Sequence, residues 1–68
     1  MLKDHNHDLV QQLSEISDSL WRMEDYIKNS EGCDSCSGMW KKMKEDYENH
    51  VDMLKAEINK HVKEERFD

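Results

Sequence analysis

Apolar side chains recur through the first half of the chain at Leu9, Leu13, Ile16, Leu20, Met23 and Ile27, at spacings of 4, 3, 4, 3 and 4. Alternating steps of three and four keep a stripe on one side of an α-helix, and a stripe held over about three heptads is a coiled-coil seam. Val10 and Trp21 fall off this stripe, and the intervening positions are mostly polar, as a solvated face requires. Glu24 precedes Lys28 by one helical turn, in the orientation that supports a helix. The second half carries its own stripe, Met39, Met43, Tyr47, Val51, Leu54, Ile58 and Val62, with Trp40 alongside. It is less regular and richer in methionine, which packs adaptably but specifies a partner weakly. No proline occurs to interrupt either half.

The segment Glu31-Gly32-Cys33-Asp34-Ser35-Cys36-Ser37-Gly38 separates the two stripes and holds both glycines and both cysteines. Gly32 suits the left-handed residue that follows a helix's last turn. Ser35 or Ser37 can cap the next helix by accepting from its free N–H groups. The pattern predicts an all-α fold, one antiparallel two-helix hairpin over residues 1–68. Its helices are expected at about 4–30 and 38–66, joined by a tip at 31–37. Folding at the tip sets Met23 and Ile27 near Met39 and Met43, and returns His5 and His7 beside His61.

Composition changes this picture in two ways. Of 68 residues, 38% are charged and 35% hydrophobic, the mixture of a coiled coil or a long solvated helix. A lone hairpin has one seam to bury against roughly 1–2 kcal/mol of backbone entropy per ordered residue. Self-association into a homodimeric four-helix bundle, or docking on a protein partner, is therefore expected. The net charge of −6 argues against nucleic-acid and anionic-membrane partners, and the basic run Lys41, Lys42, Lys44 is diluted by Glu45, Asp46 and Glu48. No apolar run approaches the roughly 18–20 residues of a membrane span, and no signal-peptide core follows Met1. A cytoplasmic, reducing location is the expectation, and there a cysteine pair points to metal or redox chemistry rather than a structural disulfide.

Cys33 and Cys36 are the strongest chemical signal. A two-residue gap lets both thiolates face one ion, supplying half of a tetrahedral zinc site. No second C-x-x-C exists, and His50 should lie several turns from the tip, so a closed shell needs Cys₄ from two chains. The tip and its flanking heptads resemble the zinc hook of the SMC-like double-strand-break repair ATPases, with Asp34 where the hook usually carries proline. That resemblance implies two molecules joined through one zinc held by Cys33 and Cys36. A thiol or disulfide link is the other chemistry open to the pair, and idle thiols in a metal-free partner-binding hairpin are the third reading. Should Ser35 cap the second helix, Cys36 would sit in its first turn, where the helix dipole lowers a thiol pKa.

The open end offers another constellation. Glu57, His61 and Glu65 lie along one side of the second helix, with His5 and His7 folded alongside and His50 farther along. Leu2-Lys3-Asp4-His5 and His61-x-x-x-Glu65 resemble one half of a hemerythrin-type cation-binding domain. The resemblance implies an iron site of His5, His61 and Glu65, completed by dimerisation. An acidic, solvated face with incidental histidines accounts for the same residues. No glycine-rich phosphate loop, nucleophile elbow or Ser/His/Asp arrangement is present, and the expected function is a non-enzymatic interaction or assembly module.

Overall fold

A computed structural model, which describes residues 1–68, contains two α-helices and no strand. Helix α1 runs from Asp4 to Asn29 and α2 from Asp34 to Lys63. They pack against each other along their full length as an antiparallel hairpin with principal extents of 50 × 18 × 12 Å. No helix is long and apolar enough to cross a membrane.

The seam of α1 is the predicted one, and it continues by the same steps to Asn6 and Ser30, both buried. Leu9, Leu13, Leu20 and Ile27 are half-buried, while Ile16 and Met23 alone among apolar residues are buried. In α2 the inward line differs from the expected stripe at both ends. Met39 is 47% exposed and Val62 54% exposed, so neither belongs to the seam. Trp40 and His61 take those places, giving Trp40, Lys44, Tyr47, Val51, Leu54, Ile58 and His61 as a continuous alternation of four and three. The physical reason lies in the heptad itself. From Tyr47, Val51, Leu54 and Ile58 the alternation reaches Lys44, Trp40 and His61, whereas Met39, Met43 and Val62 are each one residue out of phase and turn toward the flanks.

At the tip, Gly32 adopts φ 92°, the left-handed conformation that glycine takes without steric penalty. The Ser30 hydroxyl donates to Ile27 O at 2.7 Å, and the Cys33 N–H donates to Ser30 O at 2.9 Å. These bonds satisfy backbone groups that the end of α1 would otherwise leave free. Helix α2 then starts at Asp34 rather than near residue 38. The cap is neither Ser35 nor Ser37: Cys33 occupies the capping position and its Sγ accepts the Cys36 N–H at 3.4 Å. Asp34 places a carboxylate in the first turn, where the helix dipole favours it.

The other end of the hairpin is closed by a set of hydrogen bonds. Asn6, with no exposed surface, donates from Nδ2 to Arg66 O at 2.8 Å and Asp68 O at 3.0 Å. With both amide hydrogens committed, its Oδ1 must accept, and His61 Nδ1 lies 2.7 Å from it. Nδ1 therefore carries the proton that bridges the helices. The chain after α2 reaches these partners by a left-handed residue, Glu65 at φ 57°, followed by the Arg66 N–H bonding back to His61 O at 2.7 Å. This is the six-to-one bond of a Schellman turn. A Lys3–Asp68 ion pair at 3.1 Å, with the Lys3 N–H donating to Asp68 O at 2.7 Å, finishes the closure.

Replacing Asn6 with alanine leaves two backbone carbonyls and the His61 Nδ1–H without their partner. Asn6→Ala is expected to destabilise the hairpin by about 2–3 kcal/mol. Trp21→Ser, at a position 84% exposed, should stay within about 0.5 kcal/mol of the parent. Urea unfolding followed by circular dichroism compares the two; equal midpoints would show that the closure contributes nothing.

Candidate functional site

The C-x-x-C segment lies at the exposed apex, where the turn meets α2. Both cysteines are free thiols, Cys33 half-buried and Cys36 exposed. Because Cys33 is the capping residue and Cys36 lies in the first turn, both sulfurs sit within one turn at the positive end of a 30-residue helix. Cys33 Sγ is also 3.5 Å from the Ser35 hydroxyl.

These surroundings make the two thiols unequal. The Cys36 thiol, the Ser35 hydroxyl and the Cys36 N–H, all turned on Cys33, lower its pKa to about 7. Cys36 is pushed up instead, by the hydrogen bond it gives Cys33 and by the charge there. Cys33 is thus the member of the pair that becomes thiolate near neutral pH, and the thiolate is the form that binds metal or attacks an electrophile. The expectation that the first turn lowers the Cys36 thiol is reversed: with Cys33 rather than Ser35 as the cap, the hydrogen bonds converge on Cys33 and Cys36 is pushed up. Beside the pair opens a groove of about 330 Å³ lined by Tyr26, Trp40 and the two cysteines. The Tyr26 and Trp40 rings meet there at a tilt of 46° with centroids 4.8 Å apart.

Within one chain, no three histidine, cysteine, aspartate or glutamate side chains come together so as to hold a metal ion. The tip thus holds two thiols with no third such side chain beside them, and His50 takes no part, lying exposed beside Tyr47 with ring centroids 5.9 Å apart. At the open end the hairpin does bring His5 to His61, with ring centroids 5.4 Å apart. His5, His61 and Glu65 nevertheless form no metal-holding group. His61 is engaged otherwise: Nδ1 bonds Asn6 and Nε2 faces Glu57 Oε1 at 3.3 Å. Glu65 stands in the turn beyond α2, and His7 is an exposed residue 3.8 Å from Asp8.

Two residues matter here that the apolar pattern did not reveal. Asn6 closes the end that the histidines occupy, and Ser35 polarises the Cys33 thiol. Asn6 could have been found by stepping three residues back along the seam from Leu9. Nothing in the spacing marks Ser35 as a thiol partner rather than a cap. No family model, curated protein or solved structure matches the chain.

The inequality of the thiols has a measurable consequence. At pH 7 iodoacetamide is expected to modify Cys33 severalfold faster than Cys36, with the Cys33 rate rising as pH is raised through about 7. Removing one of the groups that stabilises the thiolate, in Ser35→Ala, should shift that profile to higher pH. Peptide mass spectrometry after timed alkylation gives both rates; equal rates for the two cysteines would refute the asymmetry.

Proposed function

We propose that this hairpin is a non-enzymatic assembly module that self-associates, with Cys33 and Cys36 of two chains enclosing one zinc ion at the tip. The observation that supports this most directly is the pair itself: two free thiols in one helical turn, at the exposed apex of the hairpin. Two thiolates per chain, with no third ligand near them, are the donor set that a tetrahedral site shared by two chains requires.

Each residue of the tip has a part in this reading. Cys33, whose pKa is lowered to about 7, offers a thiolate near neutral pH. Binding a cation beside it removes the repulsion that holds the Cys36 thiol protonated, so the second ligand follows the first. The N–H of Cys36 remains on Cys33 Sγ, the outer-shell bond that orients a metal-bound sulfur. A reducing compartment such as the cytoplasm keeps the thiols available for metal. Oxidation to a disulfide is the competing fate of the same pair.

The expected stoichiometry is one zinc per two chains in native mass spectrometry of protein purified without chelator. The double substitution Cys33→Ser, Cys36→Ser is expected to abolish it, and Cys33→Ser alone to weaken it at least tenfold. Zinc retained in full by the double variant would overturn the assignment.

A further inference from the structure

The two sides of the hairpin are chemically different. On one flank Gln12 and Tyr26 of α1 are two heptads apart, as are Cys36 and His50 of α2, with Glu57 one heptad farther. Both apolar grooves open on that flank, the tip groove beside Tyr26 and Trp40 and a larger one of about 430 Å³ over Ile16 and Leu54. Met53, 68% exposed, stands at the rim of the larger groove, and Met39 shares its heptad position nearer the tip. The opposite flank also exposes Val10, Trp21 and Val62, but between them stand Glu24, Lys41, Glu48 and Lys55, with the Lys44–Glu24 pair at 3.4 Å bridging the helices there.

The exposed area is large enough for one flank to be covered. A compact monomer of 8.2 kDa exposes about 4,500 Å², whereas this chain exposes 5310 Å². The excess, about 800 Å², is the share each partner contributes to a standard interface. Charge then says how a second copy would lie. The register set by the Glu24–Lys44 pair places Arg22 at the level of Asp46 and Asp8 at the level of Lys60. These four share one heptad position, on the outer edge of the apolar flank. Rotation by 180° about an axis along the hairpin sets α1 of one copy against α2 of the other, at unchanged height. Arg22 then meets Asp46 of the second copy, and Asp8 meets Lys60, twice each by symmetry.

We infer that the Met53 flank is the interface of a parallel homodimer, two hairpins side by side with both tips at the same end. The inference rests on the self-association proposed above and adds its face and direction. Apolar contact comes from Tyr26, Met39, Met43 and Met53, while the rim pairs fix orientation. Cys36 belongs to the same flank, so the arrangement carries the two dithiols to the symmetry axis and assembles four sulfurs there. Two hairpins in the antiparallel sense would leave the tips at opposite ends of a molecule 50 Å long.

Sedimentation equilibrium combined with cross-linking separates the possibilities. The parent should be a dimer. Met53→Asp should weaken it at least tenfold without loss of helicity, and Trp21→Ser on the opposite flank should not. Arg22→Asp should weaken association and Asp46→Arg in the same chain should restore it, a rescue that only the parallel register provides. In a Cys33→Ser background, mild oxidation should join Cys36 to Cys36 of the second copy, and Met53→Asp should suppress that product. A parent that stays monomeric would overturn self-association itself. A dimer indifferent to Met53→Asp would overturn the face alone. A Met53-dependent dimer with neither rescue nor cross-link would overturn the parallel direction.

Discussion

Two antiparallel helices share one seam, and every other feature of this chain follows from how little that seam can bury. A residue in a three-layer or globular core is enclosed from several directions; here an inward side chain meets only the facing helix and is open to water on both flanks. Ile16 and Met23 alone among the apolar residues are buried. At about 25 cal/mol per Å² of apolar surface, such partial burial is a thin return for ordering two long helices. The specific polar contacts at the two ends, and the uncovered methionine-rich flank, are both consequences of that shortfall.

The ends of a hairpin are its weakest places, because helices fray where their last backbone groups lack partners. This chain treats each end with side chains placed on the seam. Asn6 satisfies two carbonyls of the segment after α2 and one ring nitrogen of His61. Ser30 and Cys33 do the same work at the tip, one returning its hydroxyl to α1 and the other lending its sulfur to α2. A polar pair at a seam position also fixes register: sliding the helices by one heptad would set Asn6 against Leu54 in one direction or His61 against Leu13 in the other, leaving a buried polar group unmatched.

The hairpin, the position of the turn and the seam of α1 are legible in the sequence because alternation of three and four over Leu9 to Ile27 has one structural meaning. The seam of α2 is legible only through its middle. Tyr47, Val51, Leu54 and Ile58 define the phase, but Met39 and Val62 are apolar and adjacent to it, and hydrophobicity alone prefers them to Trp40 and His61. Exposed methionine and valine are ordinary on a helix flank, whereas a histidine becomes a seam residue only once Asn6 is recognised as its partner. That recognition needs both helices at once. The cysteine pair and its place at the turn are legible in the sequence, but its inequality is not, since it arises from which residue caps α2. A serine stands on either side of Cys36, and local preference favours either over a thiol as the cap. The turn geometry set by Gly32 places Cys33 in the capping position first.

Capping and metal binding ask compatible things of Cys33. An N–H directed at sulfur is a weak bond to a thiol and a stronger one to a thiolate, whose charge it meets. The bond that holds the first turn of α2 in place therefore strengthens when Cys33 loses its proton, whether to solvent or to a cation. It does not compete for the sulfur lone pairs as a second proton would, so the helix need not open for the tip to acquire a ligand. The same coupling runs in reverse. Unwinding the first turn withdraws the Cys36 N–H and the Ser35 hydroxyl from Cys33 and returns its thiol toward the ordinary range. The chemistry of the tip is in this sense a property of α2 being folded, and α2 is held folded by the seam and by the Asn6–His61 closure at the far end.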